Sequence, residues 1–209
     1  MASVRHNRAG SETRATILDC AVGVILDHGI GGLTLQEVAR RADIKYGNLT
    51  HHYPSRDMLM TAVLDSLEAR YLEEFGAFAL SIADAPGSPV EYLLGWLLDD
   101  AVTRETAGIF LELWASATRD PQVADRVNRL YDQAVDACIR ALGACPSADT
   151  AQPLREALYL LGTVVEGSSA LFSARTGDAA LYRAFRRDAL LLVKPLIEKR
   201  LAEAHAGPA

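Results

Sequence analysis

The sequence predicts an all-α protein of about nine helices. Apolar residues recur at helical spacing along nearly every segment, and the alternation of apolar and polar residues typical of half-buried strands is absent. Glycine, proline and capping residues divide the chain into pieces of helix length. Hydrophobic residues make up 50% of the 209 residues and charged residues 23%, which favours a folded protein with a sizeable core over a disordered chain.

The first helix is predicted from about Thr13 to Asp27, because Ile17, Ala21 and Val24 recur on one face. A second, short helix follows a turn rich in glycine and ends near residue 41 or 42. The start of this helix has the clearest N-terminal capping pattern in the chain.

Thr34 and Glu37 have the spacing of a capping box, in which the hydroxyl accepts from the Glu37 amide and the carboxylate accepts from the Thr34 amide. Leu33 and Val38 occupy the two positions of a hydrophobic staple around this cap.

A third short helix is predicted over residues 45–52 and ends before Pro54, since the residue preceding proline avoids the α region. Ser55 caps a long helix that reaches about Ile82. A proline- and glycine-rich segment at 84–89 then breaks the chain. The remaining helices are predicted at 89–104, 106–117, 121–143, 153–175 and 178–203, with Pro195 expected to kink or interrupt the last one.

Charge divides unevenly along the chain. Residues 1–60 contain seven Lys/Arg and six Asp/Glu, which gives this segment a net charge of +1. Because the whole chain has a net charge of −6, the remaining residues have a net charge of −7. Four of the five histidines also lie in this first segment. A less acidic head on an acidic body suits a protein that touches a polyanion only with its head.

The longest apolar runs, such as 190–193, fall far short of the ~20 residues that a membrane span needs. The polar N-terminal segment has no stretch that resembles a signal peptide. We therefore expect a cytoplasmic protein that does not contact a membrane.

Residues 34–59 hold the pattern with the clearest functional meaning. A capped short helix, a three-residue turn and a second short helix form a helix-turn-helix, whose second helix enters the major groove of DNA. Ile44 and Leu49 are expected to pack inward. Glycine at position 47 destabilises a helix by about 1 kcal/mol relative to alanine. This residue is expected where the helix backbone must approach a partner closely. The other residues of these two turns can nearly all donate hydrogen bonds: Lys45, Tyr46, Asn48, Thr50, His51 and His52.

This segment resembles the N-terminal domain of the TetR family of repressors. In that family a glycine, a leucine two residues later and an end rich in aromatic residues and histidine run into Phe/Tyr-Pro-Ser-Lys/Arg. The corresponding residues are Gly47, Leu49, His51-His52-Tyr53 and Pro54-Ser55-Arg56. The resemblance covers residues 12–75 by motif and the remainder only by helical character and length.

The resemblance implies a helix-turn-helix DNA-binding domain at 1–54 and a ligand-binding and dimerisation domain at 55–209, linked by the helix at 55–82. It implies base contacts from Lys45, Tyr46, Gly47 and Thr50. It implies phosphate contacts from Thr34, Asn48, His51, His52 and Arg56. Lys45 and Thr50 depart from the residues common in the family, so we expect a different operator preference with DNA binding retained.

The family is dimeric, and two predicted helices carry apolar stripes that could form the interface. They consist of Leu154, Leu158, Leu161 and Val165, and of Leu181, Phe185, Ala189, Leu192 and Leu196. Two such helices per subunit would form a four-helix seam across a two-fold axis. For any single residue, burial in the subunit's own core is an equal alternative.

A ligand site is predicted among aromatic and polar residues embedded in apolar helices: Tyr92, Trp96, Asp99, Thr103, Phe110, Trp114 and Glu166. Core packing is the alternative for either tryptophan. Glu166 could select a cationic inducer with neighbouring aromatic rings. It could equally pair with an arginine such as Arg104 or Arg119.

The prediction is a dimeric, ligand-responsive regulator that binds a near-palindromic DNA operator and is released by a small-molecule inducer. Repression is the expected outcome, with activation left open, and neither a cofactor nor a metal is expected. An enzyme is disfavoured because no catalytic fingerprint occurs and only His205 follows residue 60 among the histidines. A helical protein–protein adaptor that has lost DNA binding is the alternative, which predicts acidic residues or alanine on the second short helix.

Overall fold

A computed structural model describes residues 2–82, 87–147, 149–175 and 178–206, with the side chains from residue 11 onward. The described part of the chain contains nine α-helices and no strand, as predicted. It forms two compact units, residues 1–71 and 72–209, and the division falls within the fourth helix.

The first unit contains α1 (Ala2–His28), α2 (Leu35–Arg41), α3 (Tyr46–His52) and the first part of α4 (Arg56–Ser81). Its buried residues include Ile17, Val24, Leu33, Val38 and Leu49, each without solvent exposure. α1 begins at Ala2, whereas the sequence predicted a start near Thr13. That prediction depended on apolar periodicity, which begins only at Ile17. The preceding segment contains no proline, so nothing in it breaks the helix.

Half of the predicted capping box is present. The Thr34 hydroxyl accepts a hydrogen bond from the Glu37 amide at 3.1 Å. The Glu37 carboxylate instead accepts from the Arg40 guanidinium at 2.9 and 2.5 Å, which lowers the pKa of Glu37. Leu33 and Val38 are fully buried at the staple positions.

The turn between α2 and α3 depends on one residue in the left-handed region. Asp43 has φ of 52°. Aspartate tolerates this conformation better than most residues because its short side chain can hydrogen-bond locally. The turn sets the direction in which α3 leaves α2, and therefore the direction of its exposed face.

The second unit contains the end of α4 and α5 (Pro89–Ala101), α6 (Arg104–Ala117), α7 (Pro121–Ala141), α8 (Gln152–Phe172) and α9 (Ala179–Ala206). Three of these helices start at side-chain caps, and α6 begins at Arg104, two residues before the predicted start at 106. The hydroxyls of Ser88 and Thr103 and the carboxylate of Asp120 accept from amides of the first turn.

α9 runs through Pro195 without a break, so the interruption that the sequence allowed at this proline does not occur. Proline removes the bond to the carbonyl of Leu191. Leu191 and Pro195 both lie on the exposed side of the helix, where water can satisfy this carbonyl.

One face of α8 forms the centre of the second unit's core. Leu154, Leu158 and Leu161 are buried within a cluster that includes Leu94 of α5 and Ile139 of α7. Phe75 of α4 and Ile197 of α9 close the same cluster with no solvent exposure.

We expect Asp43→Val to lower the free energy of unfolding by about 1–2 kcal/mol, because a β-branched side chain is strained at positive φ. Asp43→Asn should stay within about 0.5 kcal/mol of the wild type, since asparagine also tolerates this region. Urea unfolding followed by circular dichroism measures both. Equal losses in the two variants would show that the side chain matters for another reason.

Candidate nucleic-acid interface and ligand site

Burial of Leu49 and Tyr53 determines which face of α3 is available to a partner. Leu49 is fully buried and Tyr53 is 8% exposed. Ile44, also expected to pack inward, is half-buried. The exposed side chains of Tyr46, Asn48 and His51 therefore define the outward face of α3, and Thr50 and His52 are half-buried at its edges.

The four residues predicted to contact bases lie together at the start of this face. Lys45 is the N-terminal cap of α3, and Tyr46 is 47% exposed. Thr50 is half-buried, and its hydroxyl donates to the Gly47 carbonyl at 3.2 Å. A Cβ added to Gly47 would meet no described atom within 4 Å.

The residues predicted to contact phosphate differ in how available they are. Asn48 and His51 are exposed, and the rings of His51 and His52 meet edge-on at 5.6 Å. The Thr34 hydroxyl is already engaged in capping α2. Arg56 donates to the carbonyls of Leu33 at 2.9 Å and Ile30 at 2.8 Å. Arg56 therefore ties the start of α4 to the turn before α2, besides any role toward DNA.

Arg14 of α1 is a basic residue near this face that the sequence analysis missed. Burial lowers the pKa of His52, and the charges of Arg14 and His51 lower it further. Burial raises the pKa of Tyr53, against the effect of Arg14. The exposed Arg14 side chain thus lies near the end of α3. Nothing in helical spacing relates two residues so far apart along the chain.

The residues predicted to line one ligand pocket separate into two places. Tyr92, Trp96 and Asp99 line an open cleft of about 410 Å³ together with Phe78 and Arg186. The Phe78 ring stacks on Trp96 at 4.3 Å and on Tyr92 at 5.2 Å. Asp99 accepts from Arg186 at 2.7 and 2.8 Å, so its charge is already paired.

Phe110, Trp114 and Glu166 converge instead around Tyr131 of α7. The Tyr131 ring lies 5.3 Å from that of Trp114 and 6.3 Å from that of Phe110. The Tyr131 hydroxyl donates to Glu166 Oε1. Thr103 caps α6 through the amide of Thr106 at 3.2 Å, a structural role that the predicted pocket had not anticipated.

The Glu166 carboxylate has no counter-charge among the described side chains. Its Oε2 is inaccessible to solvent and has no hydrogen-bond partner in the part of the chain that the structure describes. Burial raises the pKa of Glu166, and hydrogen bonds from the uncharged side chains of Tyr131 and Trp114 oppose this rise. None of the described arginines pairs with it, so the predicted alternative of an ion pair with Arg104 or Arg119 is wrong.

The predicted dimer stripes lie partly inside the subunit. Leu154, Leu158, Leu161 and Ala189 are buried in their own subunit, and Val165, Phe185 and Leu196 are half-buried. Only Leu181 and Leu192 are exposed, at 44% and 78%. For the buried four the core alternative holds, because the regular apolar spacing marks the core-facing stripe. Other apolar side chains on the same helices are exposed: Tyr159, Leu160 and Leu171 of α8 and Leu191 of α9.

Among the described residues, no helix combines the length and apolar character that crossing a bilayer requires.

Comparisons with known proteins identify the family of this chain. Residues 17–63 match the family of bacterial regulatory proteins of the tetR family, and residues 90–193 match the C-terminal domain of BetI-type transcriptional repressors. An HTH-type transcriptional regulator from the dhlA 5′ region of Xanthobacter autotrophicus is 30% identical over 155 residues, which are 73% of this chain and 76% of that protein.

The regulator BetI of Burkholderia thailandensis is 24% identical over 74% of this chain and 83% of its own. A transcriptional regulator from Saccharomonospora viridis, solved in complex with choline, has a TM-score of 0.65 at 18% identity and matches 88% of this chain and 97% of its own. The chain belongs to the TetR family of helix-turn-helix transcriptional regulators. Members of this family bind DNA, typically as dimers that respond to small molecules.

The burial of Glu166 predicts a dependence of stability on pH. Because the pKa is raised in the fold, protonated Glu166 contributes stability that is fully present below the unfolded value of 4.5 and is lost as the pH rises through the folded value. Ligand-free Glu166→Gln should therefore gain in thermal midpoint relative to the wild type as the pH rises. Calorimetry across this range measures the difference, and a difference independent of pH would contradict the assignment.

Proposed function

We propose that this protein is a transcriptional repressor. As a homodimer it would hold a near-palindromic operator with its two α3 helices and leave that operator when a small molecule binds the second unit. The observation that carries the proposal is the orientation of α3. Leu49 is buried, while the outward face presents Lys45, Tyr46 and Asn48. A helix that directs hydrogen-bonding side chains away from its own core is suited to reading base edges in the major groove.

Gly47 supports a close approach of DNA to the α3 backbone. A mid-helix glycine costs about 1 kcal/mol against alanine. No described side chain or backbone atom occupies the space that a Cβ would take. Packing within the described part of the subunit therefore does not require glycine here, and we attribute it to a base pair or phosphate that would pass close to this turn.

The phosphate contacts would come from the rim of the same face. Asn48 and His51 are exposed, and Arg14 brings a positive charge to the end of α3. Phosphate contacts supply much of the affinity without sequence preference. The adaptor alternative predicts acidic or alanine residues on α3, and α3 contains neither.

The dimer interface would form from the exposed apolar side chains of α8 and α9. Leu160 and Leu171 of α8 are 49% and 60% exposed, and Leu192 of α9 is 78% exposed. Large exposed leucines on two packed helices are costly in a monomer, and a second copy would remove them from water. Two-fold symmetry then spaces the two α3 helices for half-sites about one DNA turn, or ~34 Å, apart.

Release by a ligand would require the second unit to bind it more tightly in a dimer state whose α3 helices do not match the operator. A differential affinity of a few kcal/mol would be sufficient. α4 belongs to both units and is the segment through which such a change would pass. The structural neighbour that holds choline supports the view that this fold accommodates small organic molecules.

Selection from a pool of random duplex DNA tests the proposal. The wild type should enrich an inverted repeat, whose two halves are related by the symmetry of the dimer. Enrichment of no sequence at all would reject DNA reading by this chain.

On the selected operator, Tyr46→Ala and Arg14→Ala should have different effects. Removal of the Tyr46 side chain should reduce discrimination between the operator and single-base variants by about tenfold, because this side chain would read a base edge. Removal of the Arg14 charge should weaken binding to operator and random DNA alike, and lower the salt slope by about one for each phosphate that Arg14 neutralises. Fluorescence anisotropy over a range of salt concentrations measures both.

Arg129→Ala is the matched control for the second change, since it removes the same charge from an exposed site on α7. If Tyr46→Ala and Arg14→Ala reduced operator and random binding in the same proportion, the division into base and phosphate contacts would be wrong.

Leu192→Glu should shift the protein from dimer to monomer, because it introduces a charge into the proposed interface. Leu80→Glu is the control, since Leu80 is equally exposed, at 80%, but lies on α4. Sedimentation equilibrium measures the dissociation constant, which should rise about tenfold or more only for Leu192→Glu. Equal behaviour of the two variants would exclude this face of α9 from the interface.

A further inference from the structure

We propose that operator binding is coupled to protonation of His52, so that the dimer holds its operator more tightly as the pH falls. This inference rests on the proposed function, because it concerns the end of α3 that would lie against DNA. The proton would act as a second effector, besides the small molecule that the second unit would bind.

The first argument is a cluster of basic groups at the end of α3. His51 and His52 lie in the last turn of this helix with their ring centroids 5.6 Å apart, and the charge of Arg14 of α1 acts on His52. Like charges at close range repel one another, so a fully protonated cluster is unfavourable in the free protein. Phosphates along the same rim would attract all three groups and offset this repulsion.

The second argument is the state of His52 in the free protein. His52 is half-buried, and burial is the main cause that lowers its pKa below the ordinary value of 6.5. The charges of Arg14 and His51 lower this pKa further. At neutral pH the His52 imidazole of the free protein is therefore mostly uncharged.

The neighbouring elements supply no counter-charge that would undo this effect. The acidic residues nearest along the chain are Glu12 of α1 and Asp57 of α4, and neither is among the groups that shift the pKa of His52. Tyr53, on which Arg14 also acts, stays uncharged at neutral pH because burial raises its pKa above the ordinary value of 10. A cation at position 52 therefore needs an anion from outside the described part of the subunit.

Bound DNA would supply that anion. Phosphates beside Arg14 and His51 would offset the charges that hold the pKa of His52 down, and would themselves favour the imidazolium form. Coupling between two binding events is reciprocal, so a complex that binds the proton more tightly requires that the protonated protein bind DNA more tightly. Affinity should rise as the pH falls from the pKa of the bound state to that of the free state, and should level off below the latter.

The other described histidines outside this cluster lack its surroundings. His28 is exposed at the end of α1 and lies near Glu37, whose pKa its charge lowers. His205 is in the second unit, where its Nε2 lies 3.2 Å from the carbonyl oxygen of Gly143. These differences assign the coupled proton to His52.

Fluorescence anisotropy with the selected operator tests the coupling, at constant ionic strength from about pH 8 to about pH 6. The wild-type affinity should rise by about tenfold over this range, because a dimer contains two His52 side chains. The His52→Gln variant should change by less than about twofold, since glutamine does not titrate. His28→Gln is the matched control, which removes the same kind of group from the same unit and should keep the wild-type dependence.

A nuclear magnetic resonance titration of the wild-type imidazoles measures the proton directly, and it does not depend on how well a variant folds. The pKa of His52 should rise by about 0.5 or more when the operator binds, whereas the pKa of His28 should not change. Circular dichroism confirms that both glutamine variants are folded.

The inference is overturned if operator affinity is independent of pH, or if His52→Gln retains the wild-type dependence. Operator binding that leaves the pKa of His52 unchanged would also reject it, and the proposed function would then stand without this coupling. Absence of operator binding at every pH tested would reject the proposed function and the coupling together.

Discussion

Burial of one face of α8 determines the directions of all its other residues. Leu154, Leu158 and Leu161 are buried against the neighbouring helices of the second unit. With this face fixed, the helical repeat turns Glu166 toward Tyr131 and leaves Leu160 and Leu171 on the exposed side. A single helix therefore contributes to the core, to the side-chain cluster around Tyr131 and to the proposed dimer interface. A change in the packing of its buried face would alter all three together.

Polar groups lie in different environments at α3 and at Glu166. On α3 the side chains of Lys45, Tyr46 and Asn48 are exposed, and under the proposed function DNA would replace the water around them. At Glu166 one carboxylate oxygen is inaccessible to solvent and has no hydrogen-bond partner among the described residues. The exposed groups can bind a partner at a small desolvation cost, whereas a buried carboxylate without a counter-charge destabilises the fold when it is ionised.

Sequence patterns predicted the fold well where the signal is local. The cap at Thr34, the buried staple and the inward Leu49 follow from spacing alone, so the exposed face of α3 was predictable. Contacts between residues far apart in the sequence were not predictable from local spacing. Arg14 approaches His52 through packing of α1, and Asp99 is paired by Arg186 from another helix. The predicted pocket therefore divided in two, and the leucine stripe of α8 lies in the core, because periodicity identifies a buried face without saying what buries it.

The account is tested most directly by a crystal structure of the protein bound to its selected operator. This structure would show which side chains lie against base edges and which lie against phosphates. We predict α3 in the major groove, with Lys45 and Tyr46 at base edges and Arg14 at a phosphate. Binding of the operator with α3 outside the major groove, or through the second unit, would contradict the account.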